Sequence, residues 1–539
     1  MREENHPEME EERLQQLRSR AAELLLREEW KESVEAYSQF ISLCQTQMRN
    51  SDPGCLSKLQ RSLCLAFSNR AEARSRLRDF AEALRDCEEA LKIESTHFKT
   101  LLCKGKILLN LSRYNLALDC FKATLLDPQA SVNAESINGY LEKCKKLGFF
   151  SRTGAFDLSD WVVNRFPGKL PELAEYIGAV EVKRSEMGGR GLFAAKSIDC
   201  GTLLLVTKAI ATERGILPAS VGEGLSEKAQ LVMWRNFIDK VVDSATKCNR
   251  TRHLICSLST GEDEDGLEVP DIGLFRPEAE EAWFSNERVD VERILKILDV
   301  NSLVEDAVSG KVLGKNSDYH GVGLWVLASF INHSCSPNAR RLHIGDYVIV
   351  HASRDIKAGE EITFAYFDVL SCLRDRREKA KTWGFSCGCK RCKFEESLSC
   401  KQEMREIGMS VEGGLEVGAI VYRLEEAMKR WAVRGKEKGF LRASFWAVYS
   451  QAFQCEKSML RWGRRVPVAE VVVDSVAEVV GSDERILRIL MARLKRRMGG
   501  GGMVEMERAM KLGRGIYGKL VKKQALRSLI DICIQEQKV

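Results

Sequence analysis

Proline is scarce, at ten in 539 residues. So few ring-locked residues leave room for long helices and argue against a β-sandwich or a Pro-rich scaffold. No run of about 18 apolar residues occurs, so no membrane-spanning helix is expected. The first thirty residues are acidic and amphipathic without an apolar core, so secretion is not expected and the chain is assigned to the nucleus and/or cytoplasm. A large excess of one charge is also missing: 83 Lys+Arg stand against 77 Asp+Glu. What is present is ordinary globular composition, 44% hydrophobic and 30% charged. The length exceeds what one core can hold and implies about three or four domains.

The small net charge is unevenly spread. From Lys401 onward there are 27 Lys+Arg and 17 Asp+Glu, a net of +10, leaving −4 for the rest of the total of +6. A basic C-terminal third can attract nucleic acid or an acidic partner, or can be a solvated helical face. Eighteen cysteines read as thiols or metal ligands rather than disulfides. Cys44, Cys55, Cys64, Cys87, Cys103, Cys120 and Cys144 fall in a helical N-terminal region and read as small hydrophobes. Cys387, Cys389 and Cys392 crowd into six residues and read as ligands.

The N-terminal region repeats. Leu17–Leu43, Asn69–Ile93 and Lys104–Pro128 each give a helix pair with an aromatic at the turn: Trp30, Phe80 and Tyr114. Three residues on comes a small residue (Ser33, Ala83, Ala117), and four beyond that Tyr37, Cys87 or Phe121. Phe80 and Tyr114 are 34 residues apart, the tetratricopeptide period. Trp30 and Phe80 are 50 apart, which predicts an inserted loop of about 16 residues near Asn50–Gly54. The pattern resembles the tetratricopeptide repeat (TPR) family, and the resemblance implies a concave groove for protein partners. In the subfamily that clamps chaperone C-terminal carboxylates, the five polar positions correspond here to Arg18, Ala22, Asn69, Lys99 and Cys103. Ala22 and Cys103 lack the donors a carboxylate needs, so general protein docking is expected instead.

The middle of the chain carries four motifs. Gly189-Arg190-Gly191 precedes LFAAKSIDCGTLLLV. FINHSCSPNARR spans Phe330–Arg341, and a Gly345-Asp346 hairpin turn leads into the alternating DYVIVHASRDI. AGEEITFAYFD spans Ala358–Asp368, and WGFSCGCKRC spans Trp383–Cys392. In this order the segments resemble the SET-domain methyltransferases, closest to the SMYD-like branch with its split core and cysteine-rich post-SET tail. That branch usually carries a MYND zinc finger in its insertion. Residues 207–314 here hold only Cys248, Cys256 and His253, with no Cys-x-x-Cys pair, which cannot form that finger.

The resemblance implies the following architecture and roles. The chain is a multidomain α+β protein: 10–145 an α-solenoid of TPR repeats, 146–179 a linker, 180–206 the first part of the SET domain, 207–314 a helical insertion, 315–368 the SET core, 369–395 a zinc-binding post-SET segment and 396–539 a C-terminal helical domain. Backbone at Gly189, Arg190 and Gly191 would hold the methionine part of S-adenosylmethionine, glycine allowing close approach. Asn332 and His333 would bind the cofactor, with Asn316 a further candidate. Tyr366 would be the catalytic tyrosine, also bordering the cofactor; Phe385 would stack on adenine and Trp383 would wall the lysine channel. Cys335 would complete a zinc site with Cys387, Cys389 and Cys392, with Cys372 and Cys400 as competitors for the fourth position. The implied activity is methylation of a protein lysine, histone or otherwise, with the repeats as recruiting element. The alternative is a TPR adaptor with an inactive SET domain.

Ile420, Leu424, Met428 and Trp431 form a helical stripe, as do Leu487, Leu490 and Leu494 after an expected Ser482 cap. These read as core. Gly499–Gly502 reads as a flexible break.

Overall fold

The computed structural model describes residues 6–49, 53–128, 130–164, 170–216, 223–279, 288–305, 319–412, 414–496 and 502–536. They form two compact units. One gathers Met1–Thr153, Val242–His253 and Arg276–Val289; the other gathers Gly154–Val241, Leu254–Phe275 and Asp290–Val539. Among the described residues no helix is long and apolar enough to cross a membrane.

The first unit contains helices α1 (His6–Leu26), α2 (Trp30–Met48), α3 (Pro53–Arg76), α4 (Phe80–Ile93), α5 (Phe98–Asn110), α6 (Tyr114–Thr124) and α7 (Ala130–Thr153). The three aromatics of the repeat each open the second helix of a pair. Each is preceded by the same three-residue turn, with Glu28, Arg78 and Ser112 at φ of 62°, 59° and 60°. In every turn the next N–H reaches back to close the first helix: Glu29 to Leu24, Asp79 to Arg74 and Arg113 to Leu108. Ser33, Ala83 and Ala117 are fully buried, and twelve residues upstream of each stands a second small buried residue: Ala21, Ala71 or Gly105. Ser33 Oγ donates to the Ala21 carbonyl at 3.2 Å. A Cβ on Gly105 would lie 2.7 Å from the Phe121 ring. The seam is built for close approach, which is why the aromatic and the small residue recur together.

Two features of this unit depart from the sequence reading. The extra residues between Trp30 and Phe80 extend helices instead of forming a long loop: α2 has 19 residues and α3 has 24, against 11 in α6 and 13 in α5. Pro53, inside the expected loop, is the first residue of α3, where a missing N–H is tolerated. Buried Asp86 of α4 accepts from Arg70 at 2.7 and 2.9 Å and from Arg74 at 2.7 Å, a tie from α4 to α3 with no sequence signature. Of the N-terminal cysteines, Cys44, Cys64, Cys87 and Cys144 are buried, Cys103 and Cys120 are half-buried, and the Cys55 side chain lies outside the described residues.

The second unit is built on short strands: β1 (Tyr176–Ile177), β2 (Val180–Arg184), β3 (Arg190–Ala194), β4 (Leu203–Lys208), β5 (Thr212–Ile216), β6 (Leu303–Val304), β7 (Tyr319–Gly323), β8 (Asn332–His333), β9 (Ala339–Ile344), β10 (Tyr347–Ala352) and β11 (Glu361–Phe364). They make sheets of order β1-β4-β10-β9, β2-β3-β11-β8 and β5-β7-β6. The Gly345-Asp346 turn is there, with Tyr347 opposite Ile344. β4 is a near-continuous apolar run because it lies inside its sheet, between β1 and β10. The insertion is helical but also contributes β5 and β6 to the third sheet. Among the described residues it gathers no four-ligand metal cluster.

The C-terminal stripes are core: Ile420, Leu424 and Met428 are at most 2% exposed, and Leu487, Leu490 and Leu494 are buried. Trp431 is half-buried and donates to Glu403 at 2.9 Å. The cap before helix Glu484–Arg496 is Asp483, not Ser482: Asp483 Oδ1 accepts from the Arg485 N–H at 2.8 Å. Ser482 is drawn away to the Ser353 carbonyl. Gly499 lies outside the described residues, and a helix begins at Gly502.

Candidate active site

β8 runs parallel to β11, with Asn332 opposite Thr363 and His333 opposite Phe364. This register carries Tyr366, two residues past Phe364, to His333. The Tyr366 N–H donates to His333 Nδ1 at 3.0 Å, and the other ring nitrogen lies 3.3 Å from Cys335 Sγ. Tyr366 Oη donates to the Ile331 carbonyl at 2.9 Å. Burial pushes the Tyr366 phenol up to about 12, so it stays protonated at neutral pH.

An aromatic cluster surrounds this tyrosine. Its ring centroid lies 5.2 Å from Trp383, 5.4 Å from His333 and 6.0 Å from Phe385. Phe367 stacks on His333 at 4.3 Å and lies 6.4 Å from Phe385. Phe367 was not singled out from sequence, because one aromatic beside Tyr366 carries no positional signal. Tyr366, Phe367 and Phe385 are only half-buried and Trp383 is 38% exposed, so ring faces are left for a planar ligand.

The Gly189–Gly191 turn meets the same loop through a carboxylate. Glu361 accepts from Asn332 Nδ2 at 2.8 Å and from Ser185 Oγ at 2.9 Å, and Asn332 also donates to the Arg190 carbonyl at 3.1 Å. A Cβ on Gly191 would sit 2.4 Å from Glu361 Oε1, so any other residue would push the carboxylate out of this network. Gly189 has φ of +69°, which glycine adopts freely. The Arg190 side chain turns away from this network. It is buried, pairs with Glu264 of the insertion at 2.6 and 3.1 Å, and donates to the Ser257 and Glu268 carbonyls. Glu361 and Glu264 were missed because a carboxylate in a strand or an acidic loop usually faces solvent.

Cys335, Cys387, Cys389 and Cys392 converge, with all four sulfurs within 4.8 Å of one another. Cys372 and Cys400 are not in the cluster. Hydrogen bonds among the thiols hold Cys387 and Cys389 below the ordinary thiol range and push Cys335 and Cys392 above it. Four sulfur donors at this spacing fit a tetrahedral divalent cation, which can replace the thiol protons.

Behind the thiols lies a buried network from helices Leu373–Thr382, Lys390–Ser397 and Lys436–Ser444. Arg376 donates to Cys392 Sγ at 3.3 Å, to Glu395 at 2.7 Å and to the Ser371 carbonyl at 3.0 Å. Arg391 donates to Glu395 at 2.9 Å and to the Cys335 and Val369 carbonyls at 3.0 and 2.8 Å. Ser444 donates to Glu395 at 2.9 Å. Two guanidinium groups against one carboxylate leave one positive charge, which suits a cluster of metal-bound thiolates.

The sequence-derived residues Gly189, Gly191, Asn332, His333, Tyr366, Trp383, Phe385 and the four cysteines thus share one connected region, and Arg190 joins it through its backbone. Asn316 lies outside the described residues.

Comparison with known proteins agrees with this geometry. Residues 189–367 match the SET domain family. A Gibberella zeae protein named "Methyltransferase" is 26% identical over 392 residues, covering 69% of this chain and 50% of that protein. Human "Histone-lysine N-methyltransferase SMYD3" is 39% identical over 77 residues, 14% of this chain and 18% of that one. The chain therefore spans half the length or less of these curated relatives. The yeast Sti1 TPR2B domain in complex with an Hsp70 peptide aligns with 25% of this chain and 96% of its own, at 21% identity and a TM-score of 0.20. The domain match makes residues 189–367 a SET domain, and the repeated turn and small-residue seam give the helices N-terminal to it a tetratricopeptide-like pattern.

Proposed function

We propose that the chain is a protein-lysine N-methyltransferase that uses S-adenosylmethionine. The observation that carries this is the convergence of Tyr366, His333 and Asn332 through the β8–β11 register beside the glycine turn. When bound, S-adenosylmethionine supplies a methyl group on a positively charged sulfur. Backbone at Gly189–Gly191 and residues Asn332 and His333 would hold it, and Phe385 would stack on its base.

A lysine must lose a proton to attack, which at neutral pH costs roughly 4 kcal/mol for a pKa near 10.4. Walls formed by Trp383 and Tyr366 strip water from the ammonium and lower that pKa. The Tyr366 hydrogen is committed to the Ile331 carbonyl, so the phenol oxygen offers lone pairs that orient the amine N–H. Orientation alone can supply several kcal/mol. The four cysteines would hold a structural zinc ion that fixes the post-SET segment beside His333.

The helical repeats would recruit the protein substrate. Asn69, one of three compatible clamp positions, already donates to Tyr37 Oη at 2.9 Å, and Ala22 and Cys103 supply no donor. A partner other than a chaperone tail suits this surface better.

The test is transfer from methyl-labelled cofactor to lysate proteins, with Tyr366→Phe as control. Labelling by wild type and not by the variant supports the enzyme; cofactor binding without labelling favours the inactive adaptor.

A further inference from the structure

We propose a second metal site, in the helical-repeat unit, where Cys64, Glu94 and His97 bind zinc and staple the second repeat to the third. The three residues come from different places: Cys64 from within α3, Glu94 from the residue that ends α4 and His97 from the residue that precedes α5. Their ligand atoms lie within 4.8 Å of one another. Zinc holds such donors at about 2.0–2.3 Å, so a tetrahedral ion needs them roughly 3.3–3.8 Å apart, a shift that side-chain rotation supplies. Thiolate, carboxylate and imidazole are its usual ligands, and a three-ligand site keeps one position for water.

The surroundings suit a cation. Cys64 Sγ donates to the Ala90 carbonyl at 3.5 Å, in the last turn of α4. A helix C-terminus carries partial negative charge and favours a positive ion. Thr100 Oγ1 lies 2.7 Å from His97 Nδ1 and anchors the ring, as second-shell partners of ligating histidines do. Thr100 is fully buried, so that anchor is rigid. Glu94 and His97 sit on one short connection, closed by the His97 N–H to the Glu94 carbonyl at 3.2 Å. The ion would add to it a link to α3.

Binding replaces the thiol proton with the ion, and the proton leaves to solvent.

The test titrates the full chain with zinc against a chromophoric chelator. Wild type should take up one ion more than the Cys64→Ser, His97→Ala double variant. Cys389→Ser should keep that additional event, which separates this site from the four-cysteine cluster. Glu94→Gln changes only an exposed side chain and should weaken the event about tenfold. Cobalt in place of zinc should give thiolate charge-transfer absorption that Cys64→Ser lowers by one thiolate's share, the rest belonging to the four-cysteine cluster. Equal stoichiometry in wild type and the double variant, with both folded by circular dichroism, overturns the proposal.

Discussion

Tyr366 has a hydroxyl bonded at one end and half-exposed neighbours around its ring, and the two properties separate experimentally. Tyr366→Phe keeps the ring packing and loses the oxygen. Cofactor affinity should be nearly unchanged while turnover falls about 100-fold, read as kcat against KM. Glu395 is a different kind of residue. Removing it leaves Arg376 and Arg391 buried and unpaired, and breaking such a pair costs about 3–5 kcal/mol. Glu395→Ala should unfold the cysteine-rich tail and release its zinc, while Ser444→Ala, which removes hydrogen bonds to Glu395 and from Arg391 but no charge, should cost about 2 kcal/mol. Thermal melting with zinc analysis distinguishes them. His351 sets a pH limit. It is buried, with Nε2 3.1 Å from the Gly515 carbonyl, and burial, aided by Arg340, holds its pKa at about 4 against 6.5 when free. Between those values the unfolded chain binds the additional proton. The stabilisation is therefore full above pH 6.5 and is lost as pH falls toward 4, on the order of 3 kcal/mol in all. Urea unfolding at pH 7.5 and 4.5 should show the loss in wild type and a smaller one in His351→Gln.

At the scale of elements, the seam between paired helices pits two effects against each other. Gly105→Ala gains about 1 kcal/mol of helix propensity but forces a methyl group against the fully buried Phe121 ring, and overpacking costs about 1–3 kcal/mol. A net loss is expected, visible as faster hydrogen exchange in α5 and α6. The partner small residue of each pair was legible at Ser33, Ala83 and Ala117 because it keeps a fixed distance from an aromatic. The excess length before Phe80 was legible as a number and misread as a loop, since Pro53 punctuates equally well as the first residue of a helix. The same divide runs through the candidate site. Residues in contiguous motifs, such as Asn332, His333, Tyr366 and the cysteines, were readable because local order places them. Arg391 and Ser444 were not, because what makes them matter is a hydrogen bond spanning 53 residues. Arg190 was readable by backbone and not by side chain, whose partner Glu264 is 74 residues away.

For the whole molecule, the discontinuity of the units governs what can be cut. The repeat unit does not end at Thr153; it takes in Val242–His253 and Arg276–Val289 from the insertion. Lys247 donates to the Leu77 carbonyl at 3.2 Å and Arg113 to the Pro277 carbonyl at 3.1 Å within it. A chain lacking residues 1–150 would strand those two segments, so recruitment is better tested by surface substitutions, such as Lys99→Glu, than by truncation. Lys99→Glu should reduce labelling of a full-length substrate while leaving a short peptide substrate unaffected. The arrangement also carries a historical consequence. Repeat arrays joined end to end spread among proteins by simple exchange of gene segments, but here three stretches separated by sequence of the other unit complete one unit. Neither unit can be swapped as a cassette, so recombination should have preserved the pair together, and substitutions along residues 242–253 and 276–289 should track those in the repeats and not those around Tyr366.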